Sequence, residues 1–217
     1  MNNKEKKELI IFDMDGTLIN SGNIIANTIN YVRINSGLEA MDKDILLANI
    51  NNPDINSAEF FYEVDAFTPR HSELFEKYYE EHHLKELVLY DGIKELLDDL
   101  YPNYILTIAT NAHTNFAISM TKHLGINSYF DYIIGADKVK ASKPDPAMIQ
   151  NILDRYNIAK SNIVVIGDSY KDYLAAKAVG IKSILVNWGF STFDKDLDNL
   201  DTQLVDNINQ LRDILIK

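Results

Sequence analysis

Residues 9–20 read LIIFDMDGTLIN. Four apolar residues run straight into two aspartates, Asp13 and Asp15, with one residue between them and Gly16-Thr17 directly after. Like charges at that spacing repel, and a strand core gains nothing from them. Two readings are open on this stretch alone. The acids sit in a surface turn for which Gly16 supplies the unusual backbone angles, or they mark a strand end where a cation belongs. Oxygen ligands of this kind suit Mg²⁺, which takes carboxylates, water and phosphate oxygens.

Further along the chain the apolar run recurs as YILTIAT (104–110), YII (132–134), IVVIG (163–167) and SILV (183–186). These runs are rich in Ile and Val and do not alternate with polar residues, as expected of parallel strands covered on both faces. Helical spacing separates them at 92–100, 114–124, 146–156 and 172–179, with Gly125 and Gly180 as stops. This alternation predicts an α/β fold built on a doubly wound parallel sheet, a Rossmann-like core. Between Asn20 and Lys85 no strand is evident, and IIANTINYVRI and SELFEKYYEEHHL have helical spacing. A stretch of about 65 residues is too long for a structureless loop in a compact domain. The expected organisation is therefore a core formed by 1–19 and 86–217, with a helical cap over 20–85 inserted after the Asp13/Asp15 turn.

Composition narrows the function. The chain has 217 residues, 46 % hydrophobic and 24 % charged, enough for one substantial domain with an insertion. A formal net charge of −11 argues against nucleic-acid binding, which needs clustered Lys and Arg. An anionic small molecule stays possible, because a metal ion reverses the local sign. There is no cysteine, hence no disulfide or thiolate chemistry, which fits a cytoplasmic protein. The opening MNNKEKKELIIF reads as a solvated leader, since its apolar run is too short for a signal peptide or membrane span.

Three more stretches carry polar groups at or near the ends of apolar runs. Ala-Thr110-Asn111-Ala offers a hydroxyl, an amide and a helix start, an anion site or an ordinary helix cap. Ser-Lys143-Pro-Asp-Pro holds a lysine between a polar stretch and a helix. It is either solvated or aimed inward as a point charge on phosphate. Ile-Gly167-Asp168-Ser-Tyr-Lys-Asp172 closes a buried strand with one acid and opens the next helix with another. Capping accounts for one of these acids but poorly for both.

In this order the four segments, D-x-D-G-T, T-N, K-P and G-D-S-x-x-D, resemble the haloacid-dehalogenase-like superfamily of phosphotransferases. Within it they are similar to the branch of phosphoglycolate phosphatases and β-phosphoglucomutases with a helical cap. The resemblance covers essentially the whole chain. It implies that Asp13 is the nucleophile forming an aspartyl-phosphate and that Asp15 is the general acid and base. It further implies Mg²⁺ held by Asp13, the Asp15 backbone carbonyl and Asp168. Thr110, Asn111 and Lys143 would bind phosphoryl oxygens, with Asp172 orienting Lys143 or a metal-bound water. Halide-removing relatives lack the second acid, so Asp15 implies a phosphatase acting on a small phosphomonoester. A monomer or weak dimer is expected. A sugar phosphomutase and a non-catalytic binding protein on the same fold are the alternatives.

The expected cap departs from the branch's pattern. Its loop, Ala-Asn-Ile-Asn51-Asn52-Pro53-Asp54-Ile-Asn, has neither the glycine nor the following arginine common in the mutases. Residues 20–85 hold five basic side chains against eleven acidic ones, which suits a leaving group without a second strong charge. His82-His83, adjacent on a helix, cannot chelate as an i, i+4 pair and are expected at the surface. His113 either touches substrate or belongs to a helix cap. Tyr78, Tyr79, Phe60 and Phe61 are expected to pack the cap, Tyr90 to Gly92 to form a return hinge, and Trp188-Gly189 to turn at the site's rim.

Overall fold

The structure, a computed structural model, describes residues 8–52, 54–191 and 200–216. The Lys- and Glu-rich leader before Glu8, and Pro53 of the insertion loop, lie outside the described residues. β1 (Glu8–Phe12) leads to the short β2 (Ile19–Asn20) and then to four helices. These are α1 (Gly22–Asn35), α2 (Lys43–Asn49), α3 (Ser57–Tyr62) and α4 (Pro69–His82), followed by β3 (Val88–Leu89). Strand and helix then alternate through α5 (Ile93–Leu100), β4 (Tyr104–Thr110), α6 (Thr114–His123), β5 (Tyr132–Gly135) and α7 (Ala147–Arg155). β6 (Ile163–Gly167), α8 (Tyr170–Ala178), β7 (Lys182–Val186), β8 (Gln203–Val205) and α9 (Ile208–Leu215) complete the chain. The five expected strands and the four helices between them are all present, with ends shifted by at most two residues.

The main sheet is parallel throughout, in the order β5-β4-β1-β6-β7-β8. The first strand sits in the middle because the chain winds to one side through β4 and β5, then crosses to the other through β6. Strand order reverses beside β1, and ligands of such sheets bind at that point, outside the carboxyl ends. β1 explains why its run does not alternate. Leu9 and Ile11 enter the cluster holding Ile149, Ile152 and Ala176, whereas Ile10 and Phe12 enter the one holding Leu97, Met120 and Leu211. Each residue from Leu9 to Phe12 is at most 1 % exposed, so both faces of the strand must be apolar. Phe12→Ala is expected to lower unfolding stability by about 3–5 kcal/mol, read as a shift of the urea midpoint, because the cavity cannot collapse between two layers.

The helices α1–α4 have a cluster of their own, including Ala26, Ile29, Val32, Leu46, Phe61 and Leu74. Buried Arg33 ties it together: its guanidinium donates to the carbonyls of Glu39 (2.8 Å) and Phe61 (2.5 Å). The chain leaves and re-enters the sheet region through β2 and β3, which pair antiparallel, Ile19 with Leu89 and Asn20 with Val88. Strands of two residues carry no periodicity, so the sequence does not announce this pair. Among the described residues no helix is long and apolar enough to cross a membrane.

Candidate active site

Three adjacent parallel strands deliver the motifs to one edge. β1 ends at Phe12, beside Ile108 of β4 and Ile166 of β6, so Asp13 emerges level with the ends of both neighbours. The Asp13 N–H still donates to the Ile166 carbonyl at 2.7 Å, which holds the first acid against the sheet. Thr110 closes β4, and Asp168 follows Gly167 at the end of β6.

Lys143 comes from the loop before α7 and is buried among these groups. Its ammonium donates to Asp13 Oδ1 at 2.5 Å, Asp172 Oδ1 at 2.6 Å and the Ala109 carbonyl at 2.7 Å. The lysine is therefore not solvated. Burial alone would lower its pKa, but the Asp13 and Asp172 carboxylates outweigh burial and hold the ammonium above its ordinary range. The backbone of Lys143 is clasped by Asn111, whose amide donates to its carbonyl and accepts from its N–H, both at 3.0 Å. The Asn111 side chain thereby holds the Lys143 backbone in place. Thr110 turns its hydroxyl to the Ala112 N–H at 3.1 Å and to the Asp15 carboxylate.

Asp172 combines the two roles that the sequence leaves apart. One oxygen takes the Lys143 ammonium, and the other accepts from the Ser169 N–H (3.2 Å) and hydroxyl (2.6 Å) at the start of α8. Asp168 accepts from the Phe190 N–H at 2.7 Å. Asp13, Asp168 and Asp172 can each turn a carboxylate oxygen into one cluster within 4.8 Å. All-carboxylate donors without His or Cys fit a hard divalent cation such as Mg²⁺ and not a zinc centre. A cation would favour the charged forms of these acids, which burial disfavours. Burial pushes Asp13 up to about 7 despite Lys143, and burial followed by the Asp13 charge raises Asp168 well above the carboxylate range. Gly16 is required here: φ is +83°, and a Cβ would lie 2.2 Å from Asp168 Oδ2.

Asp15 stays outside that cluster. Its carboxylate takes the Ser21 hydroxyl at 2.5 Å, and burial raises its pKa against the pull of that hydrogen bond. All seven residues singled out from the sequence therefore meet at one edge, with Asn111 facing Lys143 through its side chain. A cavity of about 490 Å³ opens over all of these except Asp172 and extends to the helices α1, α3 and α4.

The family described as haloacid dehalogenase-like hydrolase matches residues 10–186. The chain belongs to this family. As a haloacid dehalogenase-like hydrolase it is 30 % identical to a phosphoglycolate phosphatase of Colwellia psychrerythraea, over 95 % of this chain and 96 % of that protein. It is 31 % identical to the pyrophosphatase PpaX of Listeria monocytogenes, over 82 % of each chain. The crystal structure of a predicted phosphatase from Clostridium acetobutylicum superimposes with a TM-score of 0.86 at 26 % identity, covering 97 % of this hydrolase and 98 % of that chain.

Several site residues of the hydrolase escape a reading of its motifs. Ser21 orients Asp15, and its only signal is a hydroxyl six residues on. Asp137 accepts from the Thr114 N–H (2.6 Å) and hydroxyl (2.7 Å), steadying the start of α6 from the next strand's end. Lys171 reaches from α8 to the Ile50 carbonyl (3.1 Å) and Asn51 Oδ1 (3.4 Å), joining the sheet edge to the α2–α3 loop. Trp188 is more than a turn residue, since its indole N–H donates to the Thr17 carbonyl at 3.1 Å. The expectation for His83 needs correction. It is buried, hydrogen-bonded to Ser119 Oγ at 3.2 Å and set edge-on to Phe116, because α4 lies against α6 there. His113 precedes α6 without capping it through its side chain; it lines the cavity and stacks on Phe116.

Proposed function

We propose that this chain is a Mg²⁺-dependent phosphatase of a small phosphorylated metabolite, working through an aspartyl-phosphate on Asp13. The protein is a hydrolase of phosphoric monoesters, as its place among the haloacid dehalogenase-like hydrolases and its phosphoglycolate phosphatase relatives support. The observation that carries the finer reading is the Lys143 ammonium, held by Asp13 and Asp172 inside a buried three-acid cluster at the sheet's switch point. An anionic nucleophile can approach a phosphate dianion only where positive charge is already organised.

In this reading an Asp13 oxygen attacks phosphorus in line, the P–O bond to the alcohol breaks, and Asp15 gives its proton to the departing oxygen. Burial favours the protonated form of Asp15 that this step needs. Asp15 then takes a proton from water as that water attacks the aspartyl-phosphate, freeing inorganic phosphate and restoring Asp13. Mg²⁺ on Asp13, Asp168 and the Asp15 carbonyl would neutralise charge on the transferring phosphoryl group. Thr110 and Lys143 would bind oxygens of that group, and we assign the Asn111 side chain to positioning Lys143. We further read 20–85 as a cap over a core of 1–19 and 86–217, in a cytoplasmic monomer or weak dimer.

Phosphatase and mutase chemistry share these motifs, so the products distinguish them. Incubation with β-glucose 1-phosphate and a catalytic amount of the bisphosphate, followed by NMR, is expected to give inorganic phosphate from any ester turned over. Efficient conversion to glucose 6-phosphate without phosphate release would overturn the reading.

A further inference from the structure

The cavity above Asp13 has a polar floor and an aromatic wall. Phe75 stacks on Tyr79 at 5.8 Å between ring centroids, and Tyr79 meets Phe116 edge-on at 5.1 Å. This row runs from α4 to α6, immediately after the Thr110-Asn111 loop, and all three rings line the cavity. Phe67 stands at the same cavity, edge-on to Tyr62 at 5.8 Å between ring centroids, and is 55 % exposed. Ile25 and Ile29 of α1 add aliphatic surface.

Positive charge is scarce on this side. Among the described lining residues, Lys171 is the one lysine or arginine besides Lys143, and it is engaged with the Ile50 carbonyl and Asn51. Arg33, the buried cation of the helical segment, is spent on carbonyls inside it. Glu76 also lines the cavity and would repel a second anion. A volume of about 490 Å³ lies within the range of small-molecule sites and far exceeds a two-carbon leaving group.

We propose that the alcohol released by this hydrolase carries a flat, uncharged ring, recognised by apolar contact with Phe67, Phe75, Tyr79 and Phe116, and bears no second anion. This rests on the phosphatase reading above and deepens it to a substrate class. It separates the chain from the chemistry in the name of its phosphoglycolate phosphatase relatives, whose substrate adds a carboxylate.

Two non-hydrolysable phosphonates test it by calorimetry on the wild-type protein with Mg²⁺. 3-Phenylpropylphosphonate mimics a ring-bearing ester, and 3-phosphonopropionate mimics phosphoglycolate. The ring compound is expected to bind about tenfold tighter or more, because its ring leaves water against the aromatic wall. Phe116→Ala, and the safer Phe67→Ala at an exposed position, are each expected to shrink that preference to about threefold or less. Equal or tighter binding of 3-phosphonopropionate, an undiminished preference in both variants, or no binding of the ring compound would overturn the proposal. Phosphate release from 2-phenylethyl phosphate and a panel of other phosphomonoesters tests the chemistry separately. No release from any of them would strike the phosphatase reading, while the binding order would still decide the ring.

Discussion

Asp13→Asn is expected to abolish turnover, lowering phosphate release by about four orders of magnitude or more, as removal of a catalytic nucleophile does elsewhere. An amide has no anionic oxygen to attack phosphorus, and no neighbouring acid can replace it. Asp168 is held by the Phe190 N–H, and Asp172 by Ser169 and Lys143. The fold is expected to survive. The replacement is nearly isosteric, Lys143 keeps Asp172 and the Ala109 carbonyl, and one like charge leaves a buried acidic cluster. Circular dichroism and thermal unfolding should therefore match the wild type while phosphate release vanishes. Wild-type turnover in the variant would remove Asp13 from the nucleophile's role.

Chelation is expected to have the second large effect. Treatment with EDTA should lower activity by about a thousandfold or more, and added Mg²⁺ should restore it. Asp13, Asp168 and Asp172 crowd their oxygens within 4.8 Å, and a single lysine is a poor match for three acids. A divalent cation both offsets that repulsion and lets a phosphate dianion enter. Since the cation binds the folded cluster and not the unfolded chain, Mg²⁺ should also raise the unfolding temperature in a concentration-dependent way. Full activity in metal-free buffer, with no such rise, would sink this expectation.

Much of the site was legible because its chemistry is local. An apolar strand that stops at an acid announces a strand end, and parallel strands end on the same side of a sheet. Asp13, Thr110 and Asp168 could therefore be expected together before any coordinate was known. What lay beyond reach was contact made across layers. Nothing around Asn111 signals that its amide grips the backbone of Lys143, 32 positions away. His83 reads as surface in a charged helix, yet the packing of α4 on α6 buries it against Phe116. β2 and β3, of two residues each, are too short for any periodic signal, and so is β8, of three residues, at the sheet's edge.

The division follows from the range of the forces involved. Sequence by itself determined the α/β class, the four motifs and their order, because hydrophobic period and strand-end acids are properties of consecutive residues. Only the tertiary structure decided what lines the cavity above the acids. Phe67, Phe75, Tyr79 and Phe116 are spread over 50 positions, and only Tyr79 drew notice in the sequence, as a packing residue. Phe75, Tyr79 and Phe116 become one row because α4 lies against α6 above the acids, and burial of apolar surface has no direction that a linear pattern could encode.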